Sequence, residues 1–115
     1  MNLATHVTER AGCVFVTVDG ELDLGTADQL HETLRSAIAD GTGPIVLDLE
    51  ALQFCDSAGL AVLVKTHNLL AGEGRRLVIA SPSTAVSRVL ELSGLDQVIA
   101  TATTSDDACA IASQP

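Results

Sequence analysis

Ile45-Val46-Leu47-Asp48-Leu49, followed after a short connection by Leu52-Gln53-Phe54-Cys55-Asp56-Ser57-Ala58-Gly59-Leu60, reads as a strand running into a helix. The first run is almost continuously apolar, as expected of a strand covered on both faces. From Ser57 to Ala71 the spacing becomes helical, with Leu60, Leu63, Val64, His67 and Leu70 forming an inner stripe. Gly72 and Gly74 stop the helix. A buried strand joined by a tight turn to an amphipathic helix is the building unit of α/β domains.

Upstream, Leu3 to Thr8 and Cys13 to Val18 alternate apolar and polar residues across Gly12, which predicts a strand pair, most simply a hairpin. Val14, Val16 and Val18 should face one way, and Cys13, Phe15 and Thr17 the other. Asp19-Gly20-Glu21-Leu22-Asp23-Leu24-Gly25 reads as a turn-rich acidic loop. Thr26 is an N-cap candidate, with Gln29 completing a capping box, and Leu30, Leu34, Ala37 and Ile38 carry a helix to Gly41. Downstream, Arg76 to Ala80 is a further strand. Ser81-Pro82 starts a third helix that turns Val86, Val89 and Leu90 inward and ends at Gly94. Gln97 to Ala100 reads as a short strand, and Ser105 to Ala112 as a last helix with Asp106 and Asp107 in its first turn. The order predicts one α/β domain over residues 1–115, a mixed sheet with helices as crossovers.

Composition narrows the function. Hydrophobic residues are 47% of the 115, but aromatics are only 2%, Phe15 and Phe54 alone, so a base-stacking or ring-cofactor site is not expected. A formal net charge of −9 repels phosphate backbones and anionic lipid, which argues against nucleic acid and membrane partners and for a basic or mixed-charge protein. No signal-like segment and no apolar run of spanning length is seen, and a cytoplasmic location is expected. Cys13, Cys55 and Cys109 lack paired spacing and read as reduced thiols, with Cys55 a buried structural one. His6, His31 and His67 are scattered without ligand spacing, so neither a metal nor a cofactor is expected.

Chemistry concentrates at Asp56-Ser57. Unpaired backbone N–H groups and the helix dipole make a helix start mildly positive, so a phosphate on Ser57 is tolerable there. Asp56 reads as a cap that also fixes the Ser57 hydroxyl, and Gly59 as a place where another molecule can approach the backbone closely. By themselves these residues are more simply an ordinary helix cap, since Asp or Ser before an apolar helical run usually serves as one.

Three segments together resemble the STAS domain of anti-sigma-factor antagonists. They are Asp19-Gly20-Glu21-Leu22-Asp23 with Thr26-Ala27, Val46-Leu47-Asp48-Leu49 leading to Phe54-Cys55-Asp56-Ser57-Ala58-Gly59-Leu60, and Pro82 through Leu90-Glu91-Leu92-Ser93-Gly94-Leu95. The resemblance implies a small α/β sandwich with four or five helices. It implies a non-enzymatic binding protein whose unphosphorylated form binds an anti-sigma factor that is also a serine kinase. That kinase would phosphorylate Ser57, and a phosphatase would reset it. Some relatives carry a second serine where this chain has Ala58, which leaves one acceptor at this turn. The implied partner surface comprises Glu21, Asp23, Thr26, Asp56, Ser57, Ala58 and Gly59, with the acidic loop brought close to the second helix's start. The alternatives are a constitutive scaffold that docks on a transporter ATPase or signalling assembly, and a small nucleotide hydrolase. The hydrolase has no nucleophile–base pair or metal set behind it.

Overall fold

The computed structural model describes residues 2–114. β1 (Leu3–Arg10) and β2 (Cys13–Leu22) form an antiparallel hairpin through Ala11 and Gly12. Their positive φ angles, 53° and 79°, suit a two-residue turn that follows the strand twist. The chain continues through α1 (Ala27–Asp40), β3 (Ile45–Asp48), β4 (Leu52–Cys55), α2 (Ser57–Ala71), β5 (Leu77–Ala80), α3 (Thr84–Ser93), a 3-10 turn at Leu95–Gln97, β6 (Ala100–Ala102) and α4 (Ser105–Ala112). The sheet order is β1-β2-β3-β5-β6, and every pair after the hairpin is parallel. β2 is long enough to serve two neighbours: residues 14–17 pair with β3, and residues 20–22 with β4.

The sheet separates two cores. On the front, Val14, Val16, Val18, Leu22, Ile45, Leu47 and Ile79 meet buried residues of α1, α2 and α3. On the back, Cys13, Phe15, Val46, Val78 and Ala80 meet Ala108, Cys109 and Ala112 of α4. The alternation expected of β2 is therefore realised, Val14 and its partners forward and Cys13 and Phe15 backward. The mixed sheet with helical crossovers is the architecture that the periodicity implies.

Several local expectations are corrected. The stretch Asp19 to Leu22 is the end of β2 and not a loop, and its pairing with β1 extends to Leu3 opposite Gly20. Gly20 (φ 116°) is needed there, because a Cβ would collide with the Asn2 carbonyl. β4 escaped the periodicity because its pattern, buried at both ends and exposed at Gln53 and Phe54, breaks alternation at a bulge against Gly20–Glu21. In α2 the buried face is Gly59, Val62, Leu63, Thr66 and Leu70, whereas Val64 is exposed. The helix is apolar on nearly all sides, so the inner stripe was ambiguous by one position. The cap of α3 is Ser83, whose Oγ accepts from the Val86 N–H, so Ser81-Pro82 precedes the helix. Residues 95–97 form the 3-10 turn, which shifts the final strand to Ala100–Ala102.

The cysteines bring the largest correction. Cys13 and Cys109 are joined as a disulfide, 96 residues apart in sequence. The fold brings the start of β2 under α4, a proximity that no local spacing encodes. Cys55 is free and buried, as expected.

Candidate functional site

The site is built where β2 and β4 end side by side. Leu22 is in register with Cys55, and the Asp56 N–H donates to the Leu22 carbonyl at 3.1 Å. This bond closes the turn from β4 into α2 and brings the acidic segment Glu21–Asp23 beside the helix start, as the resemblance implied. Asp56 is the N-cap: its Oδ1 accepts from the Ala58 N–H at 2.9 Å and the Gly59 N–H at 3.2 Å. The cap leaves Ser57 as the first helical residue, with its side chain exposed. The expected bond from Asp56 to the Ser57 hydroxyl is not among the capping contacts, because the carboxylate is turned to the two amides.

Thr26 and Gly59 differ from expectation. Thr26 is buried, and its Oγ1 donates to the Glu21 carbonyl at 2.8 Å and accepts from the Asp23 N–H at 3.0 Å. It makes no side-chain cap for α1, and Gln29 donates instead to the Leu3 carbonyl at 2.8 Å, so the capping box does not form. Asp23 Oδ1 accepts from the Gly25 N–H at 2.9 Å and the Thr26 N–H at 3.1 Å, which fixes the turn into α1. Gly59 is buried too. The close approach that requires a glycine there is made by Leu22 and Cys55 of this chain, within 3 Å of where a Cβ would stand. Thr26 and Gly59 therefore shape the surface from below and offer no contact of their own.

The outward surface at this end is formed by exposed Ser57 and partly exposed Ala58, Asp56, Glu21 and Asp23. Two exposed apolar side chains flank it, and sequence reading missed both: Leu24 on the turn after β2, and Phe54 beside Glu21 on β4. Leu24 stands between Asp23 and Gly25, and a single exposed leucine in a sequence carries no signal by itself. Burial, with the nearby Asp56 charge second, pushes the Cys55 thiol up to about 11, so it stays protonated behind the site. A groove of about 700 Å³ lies elsewhere, between Asp48, Ser81, Ser83, Thr101 and Ser105, and does not include Ser57.

A mixed sheet with helical crossovers and a capped, serine-bearing helix start at its carboxyl edge defines a small α/β recognition domain. The STAS domain family model matches residues 4–108, and the chain belongs to that family. It is 34% identical over 99 residues to an anti-sigma-B factor antagonist of Staphylococcus aureus strain NCTC 8325, covering 86% of this chain and 92% of the relative. An anti-sigma factor antagonist from Mycobacterium paratuberculosis superposes with a TM-score of 0.89 at 31% identity, over 98% of this chain and 96% of that one. The anti-sigma factor antagonist SpoIIAA, solved in its unphosphorylated form, superposes with a TM-score of 0.78 at 25% identity, over 94% and 96% of the two chains. Its phosphorylated form shares the fold, with a TM-score of 0.70 at 24% identity, over 94% and 99% of the two chains. No helix of the described residues is long and apolar enough to cross a membrane.

Proposed function

We propose that this protein is a cytoplasmic anti-sigma-factor antagonist controlled by phosphorylation of Ser57. Unmodified, it binds an anti-sigma factor that is also a serine kinase, and so frees a sigma factor. Phosphorylated on Ser57 it releases that partner, and a phosphatase restores the binding form. It is a binding module, with no catalytic residues of its own and no cofactor. The docking surface is Ser57 with Ala58, Asp56, Glu21 and Asp23, supported from beneath by Thr26 and Gly59.

One observation carries the reading: Ser57 stands exposed on the first turn of α2 while Asp56 already occupies the cap amides. Phosphorylation adds about −1.5 to −2 charges. With Ala58 and Gly59 N–H groups committed to Asp56, the phosphate gains little compensation and projects beside a carboxylate on an acidic chain. Desolvating that charge against a docked surface needs to cost only about 3 kcal/mol to weaken binding more than a hundredfold.

The test uses Ser57→Ala as bait to recover the kinase, followed by titration of the purified kinase with wild type, Ser57→Ala and Ser57→Glu. Wild type and Ser57→Ala should bind alike, and Ser57→Glu at least a hundredfold more weakly. Kinase and nucleotide should add one phosphate, localised to Ser57. Equal binding of Ser57→Glu and wild type would refute the charge mechanism. Unmodified Ser57 in cells under every condition would point to the constitutive scaffold.

A further inference from the structure

We propose that Cys13 and Cys109 form a reversible redox latch that fastens α4 to the back of the sheet, closed as a disulfide and loosened as a dithiol. The two Cα atoms lie 6.1 Å apart, within the span that a disulfide bridges, and the bond ties the start of β2 to the last helix. What it holds is weakly held otherwise. α4 has only eight residues, too few for an isolated helix to persist in water. The side chains it buries fully are the small Ala108, Cys109 and Ala112, against Phe15, Val46 and Val78, and its one large apolar residue, Ile111, is only partly buried there. Its ion pair, Arg10 to Asp106, is solvent-exposed on both sides and contributes little. Its polar ties include the Ser105 hydroxyl donating to Asp48 at 2.9 Å and Arg76 donating to the Ile111 carbonyl at 3.1 Å.

The dithiol is also accommodated. The Cys109 carbonyl lies 3.7 Å from Cys13 Sγ, and the Ala11 carbonyl 3.7 Å from Cys109 Sγ, so each thiol has an acceptor once the bond is broken. Disulfides within the cytosol are mostly transient or redox-sensing, so under the cytoplasmic reading the pair is a responsive element and not a permanent staple. Closure is an exchange with a disulfide of the glutathione class. The thiolate of Cys109, the more exposed of the two, attacks one sulfur of the oxidised glutathione and one reduced glutathione leaves. The Cys13 thiolate then attacks the Cys109 sulfur and the second leaves. Two electrons and two protons pass to the glutathione. Opening reverses both steps and frees the helix that covers Phe15, Val46 and Val78.

The test equilibrates the full chain in buffers of reduced and oxidised glutathione, blocks thiols with a maleimide under denaturing conditions, and counts them by mass. Oxidation should remove Cys13 and Cys109 thiols together and leave Cys55. Reduction should lower Tm by about 10–20 °C, since the bond closes a long loop, and accelerate amide exchange at 105–112 at least tenfold more than at 57–71. A variant with both Cys13→Ser and Cys109→Ser should ignore the redox buffer. Three free thiols after oxidation, identical exchange at 105–112 in both forms, or the same loss of protection at 57–71 as at 105–112 would each overturn the latch.

Discussion

Replacing Gly59 by alanine isolates the packing beneath the site, because two effects of opposite sign meet there. Gly59 lies in the first turn of α2, where alanine is favoured over glycine by about 0.5–1 kcal/mol. The new Cβ would stand 2.6 Å from Leu22 Cγ, 2.8 Å from Leu22 Cδ2 and 2.9 Å from Cys55 Sγ, against a comfortable carbon contact of about 3.5–4.0 Å. Leu22 is fully buried and the clash is at its branch point, so a simple rotamer change cannot clear it. Overpacking of this kind costs about 1–3 kcal/mol. The clash should therefore win, with a net loss of about 1–2 kcal/mol and a Tm lowered by about 4–10 °C. Gly72→Ala is the control: its φ is −63° and its Cβ would meet nothing closer than 3.5 Å, so it should be neutral or stabilising by up to about 1 kcal/mol. Urea denaturation followed by circular dichroism measures both, and in a Leu22→Ala background, itself destabilised, Gly59→Ala should cost less than it does in wild type. A Gly59→Ala protein as stable as wild type would refute the claim that Leu22 and Cys55 fill this space.

Arg75→Ala should cost about 1–3 kcal/mol, because the guanidinium donates to the Gly43 carbonyl at 3.0 and 2.8 Å and to the Ile38 carbonyl at 2.9 Å, and removing it strands both. An unchanged urea midpoint would contradict this, and Arg75→Lys should recover only part, since one ammonium cannot span the fork. The Cys55 thiol, pushed up from 9.0 to about 11 by burial and then by Asp56, makes stability depend on alkaline pH. The native state keeps this proton longer than the unfolded chain. Stability is therefore intact below about pH 9 and falls, by about 2 kcal/mol, as pH rises to about 11. Cys55→Ala should remove that slope, and parallel curves for wild type and variant over this range would show that the thiol is not buried as described.

How much of this was readable in the sequence depends on the range of the interaction. The hairpin, the continuous strand β3 and all four helices announce themselves by periodicity and by punctuation at Gly12, Gly41, Gly72 and Gly94. Ser57 at a helix start was equally legible, since capping is local. The bulged strand β4 was not, because its burial at Leu52 and Cys55 is set by the end of β2, thirty residues upstream. The same applies to Thr26 and Gly59, both read as surface features. Thr26 turns its hydroxyl to Glu21 and Asp23, and Gly59 accepts Leu22, and neither choice is visible without the strand ends in place. The bond between Cys13 and Cys109 is the extreme case, a pairing decided wholly by topology.

The packing under Ser57 bears on how the proposed switch would work. Leu22 and Cys55 are wedged against Gly59, the Asp56 N–H is held by the Leu22 carbonyl, and the Asp56 carboxylate is held by two amides. A close-packed socket of this sort yields little to a new group on its outer surface. Had Ser57 been the cap itself, phosphorylation would have competed for the amides that start α2 and could have loosened the turn. With Asp56 as the cap, the hydroxyl is free to be modified without disturbing any bond that holds the helix. The protein therefore has no inexpensive route to a different shape, and under the proposed switch a phosphate on Ser57 would change the charge presented to a partner. Amide exchange should accordingly leave residues 57–71 equally protected in Ser57→Glu and wild type even though their affinities differ. A helix start that frayed in Ser57→Glu would show that shape, and not charge, carries the signal.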